Sequence, residues 1–87
     1  MAGALSPEAI RAEILRQTAA RGPDKSICPS EVARALDPAD WRRHMTAVRG
    51  MAAILSAEGA VEILRKGKPV PPEAMHGVIR LRAGAPE

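Results

Sequence analysis

The chain has 87 residues and a formal net charge of +3, and alanine supplies 17 of its hydrophobic residues. That leaves room for one small domain with a modest core, read here as a single domain over residues 1–87 with an ordered part of about 6–82. One cysteine, Cys28, excludes an internal disulfide framework, and one aromatic, Trp41, excludes stacking of single-stranded bases on several rings.

Ser6-Pro7-Glu8 reads as a helix start: a capping hydroxyl, a proline suited to the first helical position and an acid at the positive end of the helix dipole. Ile10, Ile14, Leu15 and Thr18 follow at helical spacing, and Arg21-Gly22-Pro23 stops the run, so helix one is predicted over about 7–21. Ser26-Ile27 is a short extended piece. Pro29-Ser30-Glu31 opens helix two, with Cys28 or Ser30 near its cap and Val32, Ala33 and Leu36 on its apolar face, and Asp37-Pro38 ends it.

Helix three follows, with Asp37 or Asp40 as its cap. Trp41, Met45, Val48, Ala52 and Leu55 fall at offsets 0, 4, 7, 11 and 14, which makes one apolar stripe with Trp41 as a core anchor. Gly59 closes it. Ala60–Leu64 and Val78–Arg82 read as strands, and the segment between them, RKGKPVPPEAMHG, reads as a long basic loop because it holds three prolines and two glycines. The final AGAPE is expected to fray. The first residues carry no signal-peptide pattern and no run of about 20 apolar residues occurs, which implies a cytoplasmic protein with no membrane partner.

The order is helix, short strand, helix, helix, strand, basic loop, strand. Two helices joined by a few residues and followed by a hairpin give an α+β fold, a winged helix-turn-helix. More narrowly, ICPSEVARAL, then DW, a long Ala-rich helix and a closing GVIRL strand resemble a family of small bacterial winged-helix proteins catalogued as a domain of unknown function. The resemblance implies a fold and no established activity, substrate or catalytic residue.

Charge is unevenly spread. Residues 1–40 hold five Lys/Arg and six Asp/Glu, whereas residues 41–87 hold eight Lys/Arg and four Asp/Glu. Arg42, Thr46 and Arg49 share one face of helix three with Arg43 beside it, opposite the apolar stripe, and Arg65, Lys66 and Lys68 start the basic loop. In a helix-turn-helix the second helix enters the major groove, where Arg reads guanine and Thr contacts a base or a thymine methyl, while wing cations grip phosphate. The predicted partner is therefore double-stranded DNA, bound through Arg42, Arg43, Thr46, Arg49, Arg65, Lys66 and Lys68. So small a domain needs a homodimer or a protein partner for useful specificity. The alternative is a protein-interaction module of the same fold, which would pair the helix-three arginines with Asp24, Glu31 or Asp37 and expose an apolar patch.

No enzyme motif is present: no Gly-rich phosphate loop, no GxSxG and no nucleophile paired with a base. The expectation is a non-enzyme without cofactor. Cys28, His44 and His76 lack zinc-site spacing, so no metal is expected. His44 is read as an extension of the basic face. Cys28 is read as a small half-buried residue, since no second thiol exists to resolve an oxidised form.

Overall fold

The computed structural model describes residues 5–84, and its first helix begins where the capping chemistry places it. Ser6 is extended, and its Oγ accepts a 3.1 Å hydrogen bond from the Ala9 N–H at the start of α1 (Pro7–Arg21). Ile10, Ile14 and Thr18 face inward, and the Thr18 hydroxyl is satisfied by donating 2.9 Å to the Ile14 carbonyl. Gly22, at φ 93°, returns its N–H to the Thr18 carbonyl and ends the helix.

Ile27 does pair as a short extended piece, bridging Leu81 at the other end of the chain through two 2.8 Å backbone bonds. Cys28 is the N-cap residue of α2 (Pro29–Leu36). There the Glu31 carboxylate reaches back to accept 2.9 Å from the Cys28 N–H, the reciprocal half of a capping box.

After α2 the chain turns through 37–40 and enters a 3₁₀ turn, Trp41–His44, before α3 (Met45–Ala57) begins. The apolar stripe therefore holds only in its later part. Val48, Ala52 and Leu55 are fully buried, while Trp41 and Met45 pack against the core from its margin. A 3₁₀ turn has about 3.0 residues per turn against about 3.6 in the α-helix, so the facing shifts and His44, not Trp41, is carried inward. Neither candidate cap acts as one. The Asp37 Oδ1 accepts from the Asp40 N–H at 3.2 Å, and the Asp40 side chain makes no cap bond.

The predicted long basic loop is where sequence and structure differ. β1 (Val61–Arg65) runs into a turn at Lys66 and Gly67, both at positive φ (53° and 81°), and straight back into β2 (Lys68–Val70). Two residues at positive φ make a tight hairpin turn that matches strand twist. Pro69 is tolerated because β2 is an edge strand, and Lys68 and Pro69 blunt that edge. The chain then passes a 3₁₀ turn, Pro72–Ala74, and returns as β3 (Arg80–Ala83) on the other side of β1, giving the order β2-β1-β3 with both pairings antiparallel. This α+β layout, three helices followed by a three-stranded antiparallel sheet, is compatible with a winged helix.

One core joins the layers. Ile10 and Ile14 of α1, Val32 of α2, Val48 and Leu55 of α3, and Val61, Ile63 and Leu81 of the sheet form a single buried cluster with Ile27 and Ile79. The expected frayed end is partly corrected: Ala83 belongs to β3 and the Gly84 N–H donates 2.9 Å to the Ala60 carbonyl, while residues 85–87 lie outside the described ones. A Cβ on Gly84 would sit 2.1 Å from the Gly59 carbonyl oxygen, a backbone atom that has little room to give. Gly84→Ala is therefore expected to lower stability by about 1–3 kcal/mol and the melting midpoint by about 5 °C or more. A melting curve that superimposes on the parent's would show that this end is not held in solution.

Candidate nucleic-acid interface

The seven residues assigned to DNA from the sequence fall into two groups. Arg65, Lys66 and Lys68 stand together at the β1–β2 turn. Arg65 and Lys68 are direct cross-strand partners, with Lys66 in the turn between them. Lys66 and Lys68 are exposed and Arg65 is half-buried. No carboxylate among the described residues pairs with any of the three, because Glu62, the acid on the same strand, is taken by Arg82. Like charges facing each other across a hairpin repel unless something negative lies over them.

The helix-three group is less uniform. Arg42 and Thr46 are exposed. The Arg42 guanidinium lies 4.5 Å from the Trp41 ring centroid, and Arg34 of α2 lies 4.3 Å from the same centroid. Cation–π contact holds both side chains without neutralising them, so two positive charges sit at the turn between α2 and α3. Sequence reasoning does not find Arg34. It is on a different helix from Trp41, and only the turn through 37–40 brings the two together.

Arg49 does not stand free on the face predicted for it. Its guanidinium donates 3.0 Å to the Met75 carbonyl and 3.1 Å to the Gly77 carbonyl, so it straps the segment between β2 and β3 onto α3. Carbonyls leave its charge intact but fix its position. Arg43 forms a 3.2 Å ion pair with Asp40. His44 is buried rather than part of the basic face, and its Nε2 donates 2.8 Å to the Asp37 Oδ2 across the turn that joins the two helices. Glu31 is thus paired with Arg21, and Asp37 with His44 while it also feels the charge of Arg43. The Cys28 sulfur accepts a 3.1 Å hydrogen bond from the Ser30 hydroxyl, and no three potential metal ligands cluster among the described residues.

Among the described residues, four carboxylates hold protons less readily than usual. The Arg16 hydrogen bond lowers Glu13, the Cys28 N–H lowers Glu31, the His44 hydrogen bond lowers Asp37, and the Arg11 hydrogen bond lowers Glu58. A carboxylate whose pKa is depressed by folding contributes stability that is complete above its unfolded pKa and is lost as pH falls through the folded value. The ordinary values are 4.5 for the glutamates and 3.8 for Asp37. Urea unfolding is accordingly expected to give a constant midpoint from neutral pH to about pH 5 and a falling one below about pH 4.5. A midpoint still constant at about pH 3 would mean that these four carboxylates add nothing to the stability of the fold.

The chain belongs to the family described as "Protein of unknown function (DUF3253)", which matches residues 7–84. No curated protein matches the sequence. No helix among the described residues is long and apolar enough to cross a membrane.

Proposed function

We propose that this protein is a winged-helix protein that binds duplex DNA, laying the start of α3 against a groove and the β1–β2 hairpin on the flanking backbone. The observation that carries the reading is the hairpin tip: Arg65 opposite Lys68, with Lys66 between, and no acidic partner among the described residues. Arg42 and Arg34 add charge at the turn between α2 and α3. Arg49 serves here by position, holding the returning segment on α3, and Arg43 is partly neutralised by Asp40. The interaction-module alternative has less behind it. The exposed large hydrophobic residues among those described are Ile54 at 51%, on α3, and Val78 at 87%, in the segment before β3, and they do not amount to a patch on a helix.

Fluorescence anisotropy with a random duplex tests the reading. If roughly four or five cations replace counterions, log affinity should fall with log salt at a slope of about −4. Absence of binding at micromolar protein in low salt would leave a solvated basic surface and turn attention to a protein partner.

A further inference from the structure

The sheet has an apolar residue where its pattern calls for a polar one. Alternation along β1 sends Val61 and Ile63 to the core, and Glu62 and Leu64 to the other face. On that other face Glu62 is opposite Arg82, an ion pair, but Leu64 is opposite Arg80. Leu64 is only 7% exposed, yet it is not among the residues of the contiguous core. Its small exposed part borders a cleft of about 460 Å³, lined by Ser26, Arg65, Lys66, Val78 and Arg80, with Gly67 of the hairpin turn also in its wall. That volume is within the usual range of about 300–1,000 Å³ for small-molecule sites.

The lining has two characters. Val78, 87% exposed, is the main apolar wall, and the small exposed part of Leu64 adds to an apolar floor. Around them stand three cations and no acid. Arg80 is oriented rather than neutralised: its Nε donates 2.6 Å to the Ser26 Oγ and its Nη2 donates 2.8 Å to the Ser26 carbonyl. Those bonds use two of its five N–H groups and hold the guanidinium at the wall with donors to spare. Glu31, which feels the charge of Arg80, is already bound by Arg21 and by the Cys28 N–H.

We propose that this cleft binds an amphipathic organic anion, a single carboxylate carried on a compact apolar body. The carboxylate meets Arg80 and Lys66, and the body lies on Leu64 under Val78. A bare inorganic anion would leave the apolar floor wet, and a neutral apolar molecule would leave three cations without a partner. Neither matches both halves of the lining. The cleft shares Arg65 and Lys66 with the surface proposed for duplex DNA, but its test contains no nucleic acid, so either reading can fail alone.

The experiment is a titration of the ¹⁵N-labelled full chain with naphthalene-1-carboxylate, followed by amide chemical shifts. Acetate supplies the charge without the body, and 1-naphthol the body without the charge. The expected result is saturable shifts concentrated at Ser26, Leu64 to Gly67, Val78 and Arg80, with acetate and 1-naphthol each binding at least about tenfold more weakly. Val78→Asp and Lys66→Asn change exposed residues and should retain the parent spectrum elsewhere while weakening the naphthoate by about tenfold or more. Arg80→Gln should do the same, but it also breaks the Ser26 bonds, so the two exposed variants decide. Shifts that do not saturate, shifts spread over the surface, equal binding of acetate or 1-naphthol, or full affinity in both exposed variants would overturn the proposal.

Discussion

Ile63→Ala is expected to cost about 2–5 kcal/mol, the range for removing most of a buried aliphatic side chain and leaving a cavity. A domain of this size holds about 4–13 kcal/mol in all, so the variant should lose much of its stability. The site is chosen because of what converges on it. Ile63 is the middle residue of the middle strand, paired with Val70 on one side and Leu81 on the other, and it is fully buried. Leu81 in turn carries the bridge to Ile27, and α3 packs on β1. Truncation at Ile63 therefore loosens the hairpin from the helices and not only the sheet from itself. In urea the midpoint should drop while the slope stays constant, as for a stability change without a change in the unfolded state. Trp41→Ala is the instructive comparison. Trp41 lies at the margin of the core with two guanidinium groups against its ring, so its truncation should cost less than that of Ile63 despite the larger side chain. The reverse order would place the tryptophan, not the central strand, at the centre of the packing.

The helices are legible in the sequence because each is written in local chemistry. Ser6, Pro7 and Gly22 mark both ends of α1, and the proline after Cys28 marks the start of α2. Such signals act within one turn and need no tertiary context. The sheet is legible only in part. Ile63 and Leu81 show as strand residues by their type, but three prolines near β2 read as loop, since nothing local says that the strand will be an edge whose outer N–H groups need no partner. The basic site divides in the same way. That Arg65, Lys66 and Lys68 stand together follows from their closeness in sequence. That Arg49 is tied to Met75 and Gly77, or that Arg34 meets Trp41, depends on chain returns that periodicity does not encode. His44 escapes for a smaller reason: four residues of 3₁₀ geometry change the facing by enough to exchange an inward and an outward position.

Neutralising the hairpin tip is expected to have the largest effect on duplex binding. The variant is Arg65→Gln, Lys66→Asn, Lys68→Gln. Asparagine is chosen at 66 because that residue sits at φ 53°, a conformation asparagine tolerates better than most side chains. None of the three makes an ion pair among the described residues, and Lys66 and Lys68 are exposed, so the fold should survive and circular dichroism should match the parent. Each phosphate no longer neutralised takes about 0.9 off the slope of log affinity against log salt, so the slope should flatten by about 2.7. The same relation makes the penalty depend on salt. It should shrink about twentyfold between roughly 0.05 M and roughly 0.15 M salt, because released counterions count for less when the bulk already holds many. Arg49→Gln gives the contrast. Its guanidinium is held by two carbonyls, so its removal should change affinity through the position of the 71–79 segment and leave the slope within about one unit of the parent. A triple variant that keeps the parent's slope would mean that the hairpin does not touch the backbone, whatever α3 does. A slope flattened equally by Arg49→Gln would mean that the cations act by holding the fold in shape and not by meeting phosphate.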